Sequence, residues 1–126
     1  MNVFDASAII ALLKHEPGAD VVAAALEDGE PLISAVNLSE VVTALVESGV
    51  KEADVLAAWR QLSMTTVALD EPTALAAARL RKSTRRLGLS LGDRCCLALA
   101  QKHNANVVTA DRAWAGVTGF KIVLIR

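Results

Sequence analysis

Four acidic side chains stand where they could hold a metal ion. They are Asp5, Glu40, Asp93 and Asp111. Asp5 and Asp111 each directly follow an apolar, strand-like run, whereas Glu40 and Asp93 lie in the first turns of helical patterns. Open α/β sheets bind ligands beyond the carboxyl ends of their strands. All four acids are therefore predicted to surround one edge of a sheet.

Carboxylates grouped in this way indicate a particular chemistry. Several of them close together repel one another unless a cation neutralises them. Mg²⁺ and Mn²⁺ prefer oxygen ligands, and such an ion can bind a phosphate oxygen, activate a water and stabilise a leaving oxygen. No protein nucleophile is then required, and the sequence contains neither a Cys/His motif nor a nucleophile elbow. His15 and His103 end helical patterns, where a solvated or dipole-complementing role is typical.

Three of the acids also have a purely structural interpretation. Asp5 and Asp111 could cap short helices that start just after them. Asp93 has the capping-box spacing from Ser90, but a helical wheel places it on the apolar side of its helix, beside Cys96. Because an unpaired buried charge is costly, a bound cation explains this inward position better than a cap alone.

Glu40 has a different alternative. Its helix carries an apolar stripe, and Glu40 falls on the opposite side together with Asn37 and Glu47. That pattern is typical of a solvated face. A face that looks into an open cleft would show the same pattern, so the sequence leaves both interpretations open.

The elements that must position these acids alternate along the chain. Strands are predicted over 2–4, 32–34, 65–69, 106–109 and 122–125, and helices over 7–14, 18–28, 36–47, 51–62, 71–86 and 91–103. This alternation predicts a three-layer α/β fold with a short, mostly parallel central sheet flanked by helices. With no linker or repeat between the elements, residues 1–126 are predicted to form one domain.

Composition excludes several classes of protein. Hydrophobic residues make up 53% of the chain, which excludes a disordered protein. No apolar run approaches the ~18 residues of a membrane span, and the first residues lack a secretory signal, so we expect a cytoplasmic protein. Cys95 and Cys96 are adjacent in sequence, too close for a disulfide bond. We expect them to be small buried side chains.

Charge is unevenly distributed along the sequence. Residues 1–63 carry 3 basic and 10 acidic side chains, whereas residues 64–126 carry 10 basic and 4 acidic ones. Five basic residues are concentrated in one predicted helix, namely Arg79, Arg81, Lys82, Arg85 and Arg86. A local positive patch can bind phosphates even when the net charge is −1, although a solvated helix face has the same composition.

Four short segments, taken in order, match a known family. They are residues 3–8 (VFDASA), 37–41 (NLSEV), 89–94 (LSLGDR) and 108–112 (VTADR). The chain resembles PIN-domain ribonucleases, and in particular the VapC-like toxins of bacterial and archaeal toxin–antitoxin pairs. The resemblance covers essentially the whole chain, and all four acidic positions of the family are filled.

This resemblance implies a PIN-like fold whose acidic quartet binds one or two Mg²⁺ or Mn²⁺ ions. It implies hydrolysis of RNA by a metal-activated water, with 5′-phosphate and 3′-hydroxyl ends. Ser7 and Thr109 match hydroxyl positions of the family and would orient carboxylates or waters around the metal. The candidates for steering the RNA backbone are Arg85, Arg86, Arg94 and Arg112.

The resemblance further implies a homodimer and a cognate antitoxin protein that blocks the acidic site. The apolar segments 21–26 and 41–46 could line a groove for that antitoxin, or they could belong to the core.

Two other functions stay open. A different metal-dependent phosphohydrolase, such as a small phosphatase, would more naturally carry a second aspartate two positions after Asp5, where this chain has Ser7. A non-catalytic α/β binding module would use the four acids only as helix caps, and its stability would not respond to Mn²⁺.

Overall fold

Five short strands form one sheet at the centre of the molecule. The computed structural model describes residues 1–126. The strands are β1 (Asn2–Phe4), β2 (Pro31–Ser34), β3 (Thr65–Val67), β4 (Asn106–Thr109) and β5 (Ile122–Leu124). All neighbouring strands pair in parallel, in the order β3-β2-β1-β4-β5. The chain thus leaves β1 towards one edge of the sheet and returns on its other side, which makes the carboxyl end of β1 a topological switch point.

Seven α-helices flank the sheet. They are α1 (Ala6–Leu13), α2 (Ala19–Glu27), α3 (Ala35–Glu47), α4 (Glu52–Gln61), α5 (Glu71–Arg79), α6 (Arg81–Thr84) and α7 (Leu91–His103), with 3₁₀ turns at Arg85–Leu87 and Arg112–Gly116. The predicted element ends agree with these within two residues, except in the segment 71–86. None of the helices combines the length and the apolar character that crossing a bilayer requires.

Both faces of the three central strands, β1, β2 and β4, are buried, as expected for apolar strands of a parallel sheet. Successive strand residues point to opposite faces. Phe4 and Val108 pack against α1–α4 on one face, whereas Val3 and Val107 pack against α7 on the other. The predicted three-layer α/β architecture is therefore confirmed. Both cysteines are buried and free, also as predicted.

The single long helix predicted over 71–86 is wrong, because the segment is divided at Leu80 into α5 and α6 and ends in the 3₁₀ turn Arg85–Leu87. The carbonyl of Leu80 accepts hydrogen bonds from Ser83 Oγ at 3.3 Å and from Thr84 Oγ1 at 2.7 Å. Hydroxyls that bond back to the preceding turn compete with the helical ladder and bend helices. The five basic residues of this segment are exposed, which fits both a phosphate-binding patch and a solvated face.

Candidate metal centre

Asp5 occupies the switch point of the sheet. It follows β1 directly, its backbone N–H donates to the carbonyl of Val108 at 3.1 Å, and only 3% of the residue is exposed. Its carboxylate caps α1 by accepting the Ala8 N–H at 2.9 Å. The predicted helix cap is therefore present. The same side chain is also buried at the carboxyl edge of the sheet, where a ligand site was predicted.

Two hydroxyls hold the Asp5 carboxylate in place. Ser7 Oγ lies 2.7 Å from Oδ1 and 2.9 Å from Oδ2, and Thr109 Oγ1 donates to Oδ2 at 2.5 Å. Each hydroxyl oxygen also accepts a backbone N–H, from Ala110 at 2.9 Å for Ser7 and from Asp111 at 3.0 Å for Thr109. These accepted bonds direct the hydroxyl protons towards Asp5. The structure thus places both sequence-predicted hydroxyls where they orient a carboxylate.

The Asp5 carboxylate carries a charge with no positive partner. Burial raises its pKa from 3.8 to about 6, although hydrogen bonds from Thr109, Ala8 and Ser7 lower it, and the charge of Asp93 raises it further. Neither of the two ion pairs in the molecule involves Asp5. A buried carboxylate of this kind is destabilising until a cation approaches it.

Asp93 and Asp111 each use one carboxylate oxygen as a cap. Asp93 Oδ2 accepts the N–H of Ser90 at 2.8 Å while Ser90 Oγ accepts the N–H of Asp93 at 3.2 Å, which completes the predicted capping box of α7. Asp111 Oδ1 accepts the N–H of Ala113 at 2.9 Å and caps the 3₁₀ turn. The second oxygen of each carboxylate makes no hydrogen bond within the protein, so it is free to bind a ligand.

Glu40 is exposed, but its carboxylate lies against the first turn of α7. A Cβ atom built on Gly92 would be 2.5 Å from Glu40 Oε1. Oε1 also accepts from Asn37 Nδ2 at 2.7 Å, and the same nitrogen donates to the carbonyl of Gly92 at 3.1 Å. Of the two interpretations left open for this face of α3, a solvated face does not fit Asn37, which is buried where α3 packs against α7.

Sequence reasoning missed Asn37 and Gly92 as part of this site. The available signal was a glycine in the first turn of a helix, where almost any other residue is a better helix former. A helical wheel of α3 alone could not reveal the contact, because α7 begins far along the chain.

The charges of three of the acids affect the same buried side chain, the thiol of Cys96. Cys96 is fully buried in α7, and its thiol pKa lies well above the usual range, first because of burial and then because of the charges of Asp5, Asp93 and Glu40. Asp111 is not among these charges, and it joins the group through its N–H bond to Thr109. With the side chains in their present positions, no three acidic, histidine or cysteine residues converge closely enough to share an ion.

The donor set nevertheless suits Mg²⁺ or Mn²⁺. All of its ligands are carboxylate oxygens, which these hard cations prefer. Glu40, Asp93 and Asp111 each retain one oxygen without a protein hydrogen bond, and Asp5 supplies a buried negative charge that lacks a counter-ion. These oxygens would have to come closer together to share one ion.

The four candidate RNA-binding arginines differ in their surroundings. Arg85 and Arg86 are exposed and take part in neither ion pair. Arg94 Nη1 donates to the carbonyl of Ala77 at 3.0 Å in the last turn of α5, and Arg112 Nε donates to the carbonyl of Arg126 at 3.2 Å. The guanidinium groups of Arg94 and Arg112 thus already donate to backbone carbonyls, whereas those of Arg85 and Arg86 do not.

Comparisons with known proteins agree with this architecture. A toxin–antitoxin complex from Klebsiella pneumoniae is 22% identical, with a TM-score of 0.77, and the match covers 100% of this chain and 98% of that one. The toxin VapC20 of Mycobacterium tuberculosis, which cleaves the sarcin–ricin loop, is 21% identical with a TM-score of 0.75 over 95% of this chain and 96% of that one.

A DNA-bound VapBC complex from Salmonella typhimurium is 18% identical, with a TM-score of 0.75 over 99% of this chain and 98% of that one. No curated protein matches the sequence at a significant level. At these identities the solved structures confirm the fold. The PIN domain family matches residues 3–119, nearly the entire chain. The chain therefore belongs to the PIN-domain family.

Proposed function

We propose that this chain is a metal-dependent endoribonuclease that acts in the cytoplasm as the toxin of a VapBC-type toxin–antitoxin pair. The observation that carries the proposal is the carboxylate of Asp5, buried at the switch point without a counter-ion. Glu40, Asp93 and Asp111, each with one carboxylate oxygen free of hydrogen bonds, complete the proposed site. Family membership and the toxin structures that share the fold support the same function.

In this mechanism the four acids would hold one or two Mg²⁺ or Mn²⁺ ions, which supply the Lewis acidity that phosphodiester hydrolysis requires. Ser7 and Thr109 keep the Asp5 carboxylate in a fixed orientation. The two capping acids, Asp93 and Asp111, are each held by a backbone N–H group, which fixes part of each carboxylate before a cation binds. We expect cleavage products with 5′-phosphate and 3′-hydroxyl ends.

The exposed basic segment supports an RNA substrate. Arg85 and Arg86 have no acidic partner, so their charge is available to phosphates. Guanidinium groups also form forked hydrogen bonds with phosphate oxygens. We therefore assign the stronger RNA contacts to these two residues and weaker ones to Arg94 and Arg112, which already donate to carbonyls.

For the antitoxin we propose an apolar groove between α1, α2 and α4. Its apolar lining consists of Leu12, Leu13, Ala23, Leu26, Ala58 and Leu62. Of the two segments proposed for this groove, 21–26 contributes Ala23 and Leu26. In 41–46, Val41 and Leu45 are buried in the core, whereas Val42 and Val46 line a separate surface groove. A homodimer is likewise part of the proposal and rests on the family resemblance alone.

Cleavage of a mixed cellular RNA pool tests the proposed activity. Wild type, Asp93→Asn and Asp70→Asn would each be incubated with Mg²⁺ or Mn²⁺, and with EDTA. Asp70 is a matched control, because it also caps a helix through one carboxylate oxygen, at 3.0 Å from Thr73 N, but lies outside the acidic group.

We expect wild type and Asp70→Asn to cleave RNA only with metal, and Asp93→Asn not to cleave. The protein tested must be folded and free of antitoxin. If it then cleaves no RNA and Mn²⁺ does not change its stability, the result would instead support a binding module whose acids serve only as caps.

A further inference from the structure

Asn37 connects two helices through a single amide group. Its residue is 1% exposed, and Nδ2 donates to Glu40 Oε1 on α3 and to the Gly92 carbonyl on α7. Both partners are acceptors, so only the NH₂ end of the amide can face them. Two donated bonds from one atom also require both of its protons, which neither a hydroxyl nor a carboxylate can supply.

Gly92 makes room for the carboxylate that Asn37 holds. A Cβ at this position would lie 2.5 Å from Glu40 Oε1 and 2.7 Å from Oε2, closer than real Cβ contacts allow. Gly92 is not among the glycines with positive φ, so its backbone conformation would accept a side chain. A side chain at position 92 would therefore displace the Glu40 carboxylate, and glycine leaves it where it is.

The carbonyl oxygen of Asn37 indicates that burying this amide group between α3 and α7 costs folding free energy. Oδ1 is buried and has no hydrogen-bond partner. Buried polar atoms without a partner are uncommon, and they are concentrated where function maintains them. A side chain that served only to join α3 and α7 could be apolar and would avoid this cost.

We propose that Asn37 and Gly92 form a clamp that positions Glu40 for the metal ion. The clamp fixes Oε1 and leaves Oε2 without a hydrogen bond, so that Glu40 is held in place before the ion arrives. Asn37 is thus a positioning residue, which acts through Glu40. This inference rests on the proposed metal-dependent function.

Mn²⁺ binding, measured by calorimetry on the whole protein, tests the clamp. Loss of a group that orients a metal ligand weakens metal binding by about 10–100-fold, and we expect this for Asn37→Ala. Asn2→Ala is the matched control, since Asn2 is also buried and also donates to two acceptors, the carbonyls of Ala25 and Asp28. That variant should unfold more easily and bind Mn²⁺ as wild type does.

Two further variants separate positioning from stability. In a Glu40→Gln background, Asn37→Ala should have little further effect on the Mn²⁺ dissociation constant, because the ligand that it positions is already altered. Gly92→Ala keeps Asn37 but displaces the Glu40 carboxylate, so it should weaken Mn²⁺ binding to a similar degree even if Asn37→Ala does not fold.

The outcomes also distinguish the clamp from the function on which it rests. If wild type binds Mn²⁺ and both Asn37→Ala and Gly92→Ala bind it equally well, the clamp is wrong and the metal site stands. If wild type itself does not bind Mn²⁺, the proposed function fails and the clamp fails with it.

Discussion

Replacing Asp5 by asparagine should stabilise the metal-free protein at neutral pH. The substitution keeps the size of the side chain and an oxygen that can accept the Ala8 N–H, which Asp5 now accepts at 2.9 Å. Ser7 can still donate to that oxygen, and the Thr109 hydroxyl can turn towards Ser7 Oγ, 3.3 Å away, and accept the new NH₂ group. What the variant removes is the buried charge, and with it the cost of ionising this carboxyl group in the folded state.

The size and sign of the effect follow from the pKa of Asp5. The folded-state pKa is about 6, above the ordinary 3.8, so folding favours the protonated form. The contribution of Asp5 to the free energy of unfolding is therefore fully present below about pH 4 and is lost as the pH rises through about 6. At ~1.4 kcal/mol per pH unit between the two pKa values, the loss reaches ~3 kcal/mol near pH 7.

Urea unfolding with EDTA between pH 4 and pH 8, followed by tryptophan fluorescence, measures this loss. Asp5→Asn should match the wild type at pH 4 and exceed it by ~3 kcal/mol at pH 7.5. Mn²⁺ should then stabilise the wild type and leave the variant little changed. The reasoning would be refuted if the variant were less stable than the wild type at pH 7.5. It would also be refuted if the difference in unfolding free energy did not change with pH.

Asp70 provides a control of opposite sign. Hydrogen bonds from Thr73 and the nearby charge of Lys102 lower the pKa of this exposed carboxyl. Its contribution to stability is therefore present above pH 4 and is lost as the pH falls through its folded-state pKa. Asp70→Asn should lower stability at neutral pH, where Asp5→Asn raises it.

Three further perturbations test the remaining parts of the site. Mn²⁺ at 100 times its dissociation constant should stabilise the wild type by ~2.7 kcal/mol and raise Tm by about 10 °C for a chain of this size; an unchanged Tm would contradict a metal site. Thr109→Val removes the hydroxyl that joins Asp5 to the N–H of Asp111, so Mn²⁺ binding should weaken about 10–100-fold and begin at a higher pH, and identical binding curves would rule out this role. Arg85→Glu combined with Arg86→Glu should weaken RNA binding and flatten its salt dependence, measured by filter binding at several salt concentrations, and an unchanged salt slope would remove these residues from the interface.

Most of the fold and part of the candidate site could be predicted from local sequence patterns. The strands over 2–4 and 106–109 and the helix over 91–103 have the predicted bounds, because apolar periodicity and capping residues act within a few positions. The capping box of Ser90 and Asp93 is a contact of this kind. This capping box could be predicted because both of its residues lie in the same turn.

What the sequence did not predict depends on contacts between distant segments or on competing hydrogen bonds. Asn37 reaches the Gly92 carbonyl across 55 positions, so the polar face of α3 could not be recognised as a contact surface. The interruption at Leu80 lies where the hydroxyls of Ser83 and Thr84 both donate to one carbonyl. Helical periodicity continues through this interruption, and periodicity was the signal used.

The two interpretations of the acids, as helix caps or as metal ligands, do not exclude each other. A carboxylate has two oxygens, and a cap requires only one of them. In Asp93 and Asp111 the capping bond fixes the side chain on a rigid backbone and leaves the second oxygen without a partner. A site built in this way obtains its order from local hydrogen bonds that form when the helices form, so its acids are partly placed before any ion binds. Glu40, which has no capping role, is held instead by a residue of its own helix and by the absence of a side chain at Gly92.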